Sequence, residues 1–194
     1  ERNWDYRYTW IRDASFTVYA FMRLGFVDEA NAYMRWLRGR VSDCRGHAMK
    51  LNILYGIDGR QELPEIELTH LSGHGGATPV RIGNLAYAQV QLDIFGELMD
   101  AVYLVNKYGE AISHEGWKHT VEVVDQVCET WQQGDVGIWE MRGEQHHFLH
   151  SRLMCWVALD RAIRLASKRS LPAPFARWDQ TRQAIYSDIW ENFW

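Results

Sequence analysis

The sequence contains no basic block and no long hydrophobic run. Its 194 residues include 21 Lys and Arg against 25 Asp and Glu, which gives a formal net charge of −4 with both signs well mixed. Nucleic-acid binding depends on clustered cations that neutralise phosphates, and a membrane-spanning helix needs about 18 or more consecutive apolar residues. We therefore expect no nucleic-acid partner and no membrane partner.

Cysteine is also scarce. Cys44, Cys128 and Cys155 are odd in number and too far apart to form a CxxC pair. A disulfide framework would show paired cysteines, so we expect a reducing compartment and predict a cytoplasmic location. The chain starts at "ERNWDY" without an initiator Met or a signal peptide, and it ends inside an aromatic-rich helix. We therefore expect a piece of a larger protein.

Several catalytic signatures are missing. The sequence has no GxxxxGK[ST] phosphate loop, no GxSxG elbow and no HExxH motif. His146 and His150 lie four residues apart near Glu144, a spacing that could place two imidazoles on one helix face for a metal ion. Because an isolated pair of this kind is more often structural or exposed to solvent, we expect no metal and no cofactor.

Aromatic residues, in contrast, are abundant. The chain has ten Trp and nine Tyr. This density suits either a large hydrophobic core or a carbohydrate site, because the C–H faces of a sugar stack on aromatic rings. We expect most of these rings to lie in the core and a minority to form a site.

Apolar spacing of three and four residues predicts an all-α chain. The predicted helices cover residues 9–24, 28–37, 84–108, 118–131, 147–167 and about 178–193. The fourth has a single apolar face, whereas the third and fifth are apolar nearly all round, a pattern that predicts two concentric layers. An α/α barrel has this arrangement, and the chain would supply about half of one. The long or glycine-rich connections 43–83 and 131–147 are expected to build a site on one rim.

Two groups of aromatic and acidic residues could carry chemistry. The first is "WDYRYTWIRD", residues 4–13. Its aromatic residues alternate along the chain: Trp4, Tyr6, Tyr8 and Trp10. Alternate residues of an extended segment share one face, which would make a sugar-sized platform. Arg12 and Asp13 follow and could grip neighbouring hydroxyls, although an acid at a helix start is also common for purely structural reasons.

The second group is "GDVGIWEMRG", residues 134–143. Trp139 immediately precedes Glu140, and Arg142 follows. An indole wall would exclude water and raise the pKa of the Glu140 carboxyl, whereas a guanidinium would lower that pKa. The sequence leaves two interpretations open: a general acid protected by Trp139, or an ordinary charge at a helix start.

Together these motifs resemble glycoside hydrolase family 15, the glucoamylase family. The matching stretches are "DYRYTWIRD", "LNILYGIDGR", "GATPVRIGN", "QLDIFGELMDA", "GIWEMRG" and "HSRLMCWVALDRA". The resemblance implies an (α/α)6 double-layered barrel, with residues 1–194 as the N-terminal and central part of a single catalytic domain. It also implies release of glucose from the non-reducing ends of α-glucosides, such as α-1,4-glucan, with inversion.

The same resemblance implies roles for individual residues. Arg12 and Asp13 would hold the terminal glucose, lined by Tyr6 and Trp10. Glu140 would be the general acid with Trp139 beside it. Arg81 of "PVRIGN" is a weaker candidate for a sugar contact or a loop brace. The partners implied are a glucose-containing oligo- or polysaccharide and the rest of the parent chain.

The sequence departs from the fungal glucoamylases of the family. Met141 stands where those enzymes have a second acid after the general acid, and "SGHGGATP" lacks their tryptophan. Trehalases occur among the bacterial-type members, so α,α-trehalose is the alternative substrate. In the family the general base comes from a later part of the barrel, so the isolated chain is expected to be inactive.

Two rivals remain besides the hydrolase. One is a phosphorylase of the same fold, which would need a cationic pocket facing the site. The other is a non-catalytic sugar-binding or regulatory relative that kept the barrel and lost the chemistry. The presence of Glu140 argues against the second rival.

Overall fold

The structure is a computed structural model that describes residues 3–42 and 51–193. Six α-helices account for most of this part of the chain: α1 Ile11–Leu24, α2 Val27–Ser42, α3 Asp93–Tyr108, α4 His114–Thr130, α5 Leu149–Arg169 and α6 Phe175–Asn192. Four two-residue strands form two small antiparallel pairs. They are β1 Thr9–Trp10 with β2 Leu54–Tyr55, and β3 Ile66–Glu67 with β4 Arg81–Ile82. The predicted all-α class is confirmed.

The helices form two layers. Helix α3 packs between α1 and α5, and these three make the inner layer. Helix α2 lies against α1, while α4 and α6 lie against α5 and each other. Every residue of α3 from Asp93 to Met99 is buried, as expected of a helix covered on several sides. Gly96 lies where α3 crosses α5, and a side chain there would overlap the backbone of Met154, so glycine is required for this close approach.

The third helix begins later than predicted. The spacing predicts a helix from residue 84, but α3 starts at Asp93. Asn84 instead caps a short 3-10 turn, Leu85–Ala88, by accepting a hydrogen bond from the Ala86 N–H. Beyond that turn, the backbone groups of Val90 and Leu92 bond to residues 135–136 and not to a preceding helical turn. The residues before Asp93 do follow helical apolar spacing, but hydrogen bonds to another loop replace the helical backbone bonds there.

Other predicted boundaries also differ, including the start of α4, which lies at His114 and not at residue 118. Residues 9–10 belong to β1 and not to the first helix. The second helix continues through Ser42, so Gly39 lies inside it and does not close it. Cys44 and the start of the predicted loop 43–83 lie outside the described residues. No helix in the described ranges is both long and apolar enough to cross a membrane.

Candidate active site

The first part of the site is the segment 5–13, here called the anchor segment. Pairing of β1 with β2 fixes the chain just before α1, and the Ile11 N–H donates to the Ile53 carbonyl. The ring centroids of Tyr6 and Tyr8 lie 5.4 and 6.3 Å from that of Trp10. Trp10 is buried, whereas Tyr6 is 65% exposed. Three of the four alternating rings are therefore clustered as predicted.

A buried aspartate that the sequence analysis missed fixes this segment. The Asp5 carboxylate accepts hydrogen bonds from the Arg7 guanidinium at 2.7 and 2.8 Å, from the Tyr8 hydroxyl at 2.8 Å and from the Gly83 N–H at 3.1 Å. The Arg7 bonds are the main reason that the pKa of Asp5 lies well below its usual range. Asp5 therefore stays ionised and ties the anchor segment to the loop around Gly83.

Arg12 points inward and is held from several sides. Its guanidinium donates to the Gln91 side-chain oxygen at 3.0 Å, to the Asp93 carboxylate at 2.9 Å and to the Ile138 carbonyl at 3.1 Å. Only 14% of the Arg12 side chain is exposed, and the Asp93 side chain is fully buried. Asp13 differs, because its carboxylate is 71% exposed and lies 3.9 Å from the Arg12 guanidinium. Asp13 is therefore free to accept hydrogen bonds from a ligand.

The second part of the site is the segment 134–147, here called the acid loop. Reciprocal backbone hydrogen bonds of 2.8 Å between Asp135 and His146 close it. Glu140, at its tip, is half-buried, and its Oε1 accepts a hydrogen bond of 2.5 Å from the Trp10 indole N–H. Glu140 also has a φ of 54°, a left-handed conformation that is uncommon for a residue with a side chain and is found preferentially at functional sites.

The prediction that Trp139 shields Glu140 is wrong. Trp139 is 82% exposed, so its indole cannot exclude water from the neighbouring carboxyl. The left-handed turn at Glu140 separates the two side chains, and Trp10 from the anchor segment supplies the indole contact instead. Exposure leaves Trp139 available to a ligand, so its predicted contact with substrate remains a prediction.

Arg142 does not pair with Glu140 either. Its guanidinium bonds to the Glu65 carboxylate at 2.6 Å and lies 4.5 Å from the Trp4 ring centroid. Arg81 lies 4.8 Å from the same ring and also faces Glu65 at 3.9 Å. Trp4 thus stacks with two arginines and is not part of the predicted aromatic platform. Arg81 thus contacts residues of two other segments, and its two predicted roles, sugar contact or loop brace, stay predictions.

A second missed aspartate organises the acid loop. Asp135 is buried, and its carboxylate accepts from the Leu92 N–H at 2.8 Å, the Gly137 N–H at 3.1 Å and the Ser151 hydroxyl at 2.7 Å. One side chain therefore joins the loop to the segment before α3 and to the start of α5. The sequence did offer a sign of this residue, because Asp135 lies between two glycines and next to apolar residues.

His146 and His150, considered above as a possible pair of metal ligands, do not share one helix face. Helix α5 begins at Leu149, so His146 remains in the closing bridge of the acid loop. His150 instead approaches Asp93 and Glu97, with one ligand atom of each within 4.8 Å of the others. Among the described residues this is the one group of three with the composition of a metal site. Asp93 already has the Arg12 guanidinium as its cation, so we assign no metal to it.

The described helices form two layers, and the anchor segment and the acid loop bring aromatic rings, a fixed arginine and a carboxyl group together. Comparison with protein families gives the class of this fold. The family model for glycosyl hydrolases family 15 matches residues 1–194. The chain belongs to this family, and its six helices are a portion of an all-α (α/α)6 barrel.

Three similar proteins are named trehalases. The chain is 41% identical to the trehalase of Mycolicibacterium smegmatis over 97% of its own length, and 40% identical to that of Mycobacterium tuberculosis over 99%. It is 34% identical to the trehalase of Thermoplasma acidophilum over 97% of its length. The chain spans 28% of each mycobacterial relative and 32% of the third. No solved structure matches the chain.

Proposed function

We propose that the parent protein of this chain hydrolyses α,α-trehalose, with glucose recognition and the general acid supplied by residues 1–194 as part of a single catalytic domain. The similarity to three proteins named trehalases favours this substrate over α-1,4-glucan, which the sequence resemblance placed first. The observation that carries the proposal is the hydrogen bond between Trp10 and Glu140, because it joins the anchor segment to the acid loop.

The proposed division of roles follows from exposure and bonding. Arg12 is fixed on its inner side, and Asp13 presents an exposed carboxylate, so together they offer donors and an acceptor to the outer hydroxyls of a glucose ring. The exposed Tyr6 and the adjacent Trp10 offer ring surfaces to the sugar C–H groups. Trp139 is proposed to contact the sugar beyond the scissile bond, and Arg81 to brace the loops.

Glu140 is proposed to be the general acid. Its Oε1 accepts the Trp10 N–H, which leaves Oε2 to carry the proton that passes to the glycosidic oxygen. As the bond to the leaving glucose breaks, a water molecule attacks the anomeric carbon from the opposite face, and this attack inverts the configuration. The base that takes the proton from this water must lie about 6.5–9.5 Å from the acid. We propose that the rest of the parent chain supplies it, so the isolated chain should be inactive.

A substrate panel on the intact parent tests the proposal. Trehalose, maltose, maltooligosaccharides and isomaltose are offered, and NMR identifies the anomer released first. Trehalose turnover with initial release of equal amounts of β- and α-glucose is the expected result, because the attacked ring inverts and the leaving ring keeps its configuration. Turnover of the maltooligosaccharides alone would select the glucoamylase-like candidate, which shares the same glucose anchor. Turnover only with added phosphate would select a phosphorylase instead.

Glu140→Gln tests the general acid directly. It removes the proton but keeps an acceptor for the Trp10 N–H, so kcat should fall by a factor of about 10² to 10⁴ while sugar binding by calorimetry changes little. Tyr186→Phe, on the exposed surface of α6, is the matched control and should leave both quantities unchanged. Unchanged turnover in Glu140→Gln would remove Glu140 from the role. Sugar binding without turnover in the wild type would favour the non-catalytic relative.

A cytoplasmic location is proposed on the strength of the cysteines. Cys128 and Cys155 are free thiols in the described ranges, and burial raises the pKa of Cys155 to about 12, so its thiol stays protonated.

A further inference from the structure

We propose that Asp93 and Glu97 share one proton and act together as positioning residues for Arg12, so that the grip on a terminal glucose weakens when this proton is lost. The inference rests on the proposed function, because it assumes that Arg12 holds the sugar. It adds a pH-dependent control of that anchor by two residues that do not touch the substrate.

The geometry places both carboxyl groups behind Arg12. Asp93 and Glu97 are four residues apart on α3, so they lie on the same face one turn apart. Both are buried, with the Asp93 side chain at zero exposure. The Asp93 Oδ2 bonds to the Arg12 guanidinium at 2.9 Å. Its Oδ1 is buried and has no hydrogen-bond partner among the described residues, so one acceptor position on Asp93 is vacant.

The charge balance calls for one proton. Two ionised carboxylates beside one guanidinium would leave a net negative charge in a buried place, which is costly. A proton on Glu97 neutralises the group and gives a donor for the vacant Oδ1 of Asp93. A carboxyl oxygen of Glu97 lies within 4.8 Å of one on Asp93, and in the proposed arrangement the protonated Glu97 turns toward Asp93. The pair would then hold Arg12 with a single net negative charge.

The acidic groups around Glu97 act in the same direction as its burial. Asp93 and Asp100 on α3 and Asp13 on α1 disfavour its ionisation, whereas the Arg12 guanidinium favours it. His150 approaches from α5 and is exposed. Burial is the largest cause, and together these effects raise the pKa of Glu97 to about 7.

The sign of the pH effect follows. Below pH 7 Glu97 is protonated, and Arg12 has Asp93 as its buried charged partner beside the exposed Asp13. Above pH 7 Glu97 becomes a second anion that repels Asp93 and competes for the guanidinium. Arg12 is then drawn away from the Ile138 carbonyl and from a bound sugar. Affinity for glucose is therefore expected to fall as the pH rises through 7.

The test measures KM for trehalose in the intact parent from pH 5.5 to 8.5. In the wild type KM should rise by up to about tenfold, with the midpoint of the rise near pH 7. A tenfold change corresponds to a difference of about one unit between the pKa of Glu97 with and without bound sugar. Glu97→Gln keeps a donor for Asp93 and cannot ionise, so its KM should stay low across the range. Glu97→Asp keeps a carboxyl group and should move the midpoint without abolishing the rise. A rise that persists unchanged in Glu97→Gln overturns the inference.

His150→Gln is the control for the imidazole that approaches Asp93 and Glu97. This variant should keep the wild-type rise, and loss of the rise in His150→Gln but not in Glu97→Gln would assign the effect to His150 and overturn the inference.

A second readout does not need activity. The infrared carbonyl band of a protonated carboxyl, taken as the difference between wild type and Glu97→Gln without substrate, should be present at pH 6 and absent at pH 8. If this band is present but no glucoside is hydrolysed, the proposed function fails and the shared proton stands. If glucosides are hydrolysed and the band is absent at pH 6, the shared proton fails and the proposed function stands.

Discussion

The anchor segment and the acid loop meet at the hydrogen bond between Trp10 and Glu140, but they are held in different ways. Arg12 in the anchor segment is fixed by the fully buried carboxylate of Asp93 and by two neutral acceptors. Glu140 lies at an exposed loop tip with an unfavourable backbone conformation, and Asp135 at the base of the loop supports it. The anchor segment is thus built as part of the core, whereas the acid loop is a surface structure held by Asp135 at its base and by side chains from other segments near its tip.

This difference separates stability from chemistry. Damage to the anchor segment should weaken folding and sugar affinity together, because the same charges serve both. Damage to the acid loop should mainly lower the rate of bond cleavage, because the loop aims one carboxyl group. The predictions below test this separation in the intact parent.

The largest effect is expected from Arg12→Ala. Removal of the guanidinium leaves the Asp93 carboxylate buried without its cation, and breaking a buried ion pair in this way typically costs about 3–5 kcal/mol of unfolding free energy. KM should also rise strongly. Urea unfolding followed by fluorescence measures the first effect, and steady-state kinetics measures the second.

Arg35→Ala is the matched control for that variant. Arg35 pairs with Glu110 at 2.7 Å, but both side chains are about half exposed, so the change should cost under about 1 kcal/mol. If the two variants lose similar amounts of unfolding free energy, the buried ion pair of the anchor segment contributes no more to folding than an exposed pair does.

Asp135→Asn should give an intermediate effect. The amide replaces one acceptor oxygen with an NH2 group that faces existing donors, so a loss of about 1–3 kcal/mol is expected. Because the acid loop shifts while Arg12 keeps its bonds to Gln91 and Asp93, kcat should fall several-fold more than KM rises. Ser151→Ala removes only one of the three donors and should produce a smaller change of the same kind. A rise in KM with kcat unchanged would contradict the assignment of this loop to the chemical step.

The parts of the fold that the sequence predicts are those set by local spacing. Apolar residues at intervals of three and four identify all six helices, because the buried face of a helix repeats with the helical turn. The predicted start of α3 is wrong because the Leu92 N–H bonds to the Asp135 carboxylate, 43 residues away. Nothing in the sequence indicates that contact. Helix boundaries depend on partners at a distance, whereas the apolar stripe does not.

The site shows the same limit. Sequence patterns single out Arg12 and Glu140, whose roles stay predictions. Adjacency in sequence suggests Trp139 as the indole beside Glu140, but the indole that contacts Glu140 belongs to Trp10, 130 residues away. Asp93 and Glu97 were missed although a signal was present. They are two acids one helical turn apart inside "DIFGELM", a stretch otherwise without charge. Buried acids in such a stretch need a cation or a proton, and this requirement could have directed attention to them.

The smallest effect on stability is expected from Trp139→Ala, although the side chain removed is the largest. Trp139 is 82% exposed, so the unfolding free energy should change by no more than about 0.5 kcal/mol. If the indole stacks on the sugar beyond the scissile bond, its loss costs about 0.5–1.5 kcal/mol of binding, which raises KM roughly two- to tenfold. Trp139→Phe keeps a flat ring and should restore most of the affinity. A fall in kcat with KM unchanged in both variants would mean that Trp139 shapes the acid loop and does not contact the substrate, and the acid loop would then contribute to chemistry alone.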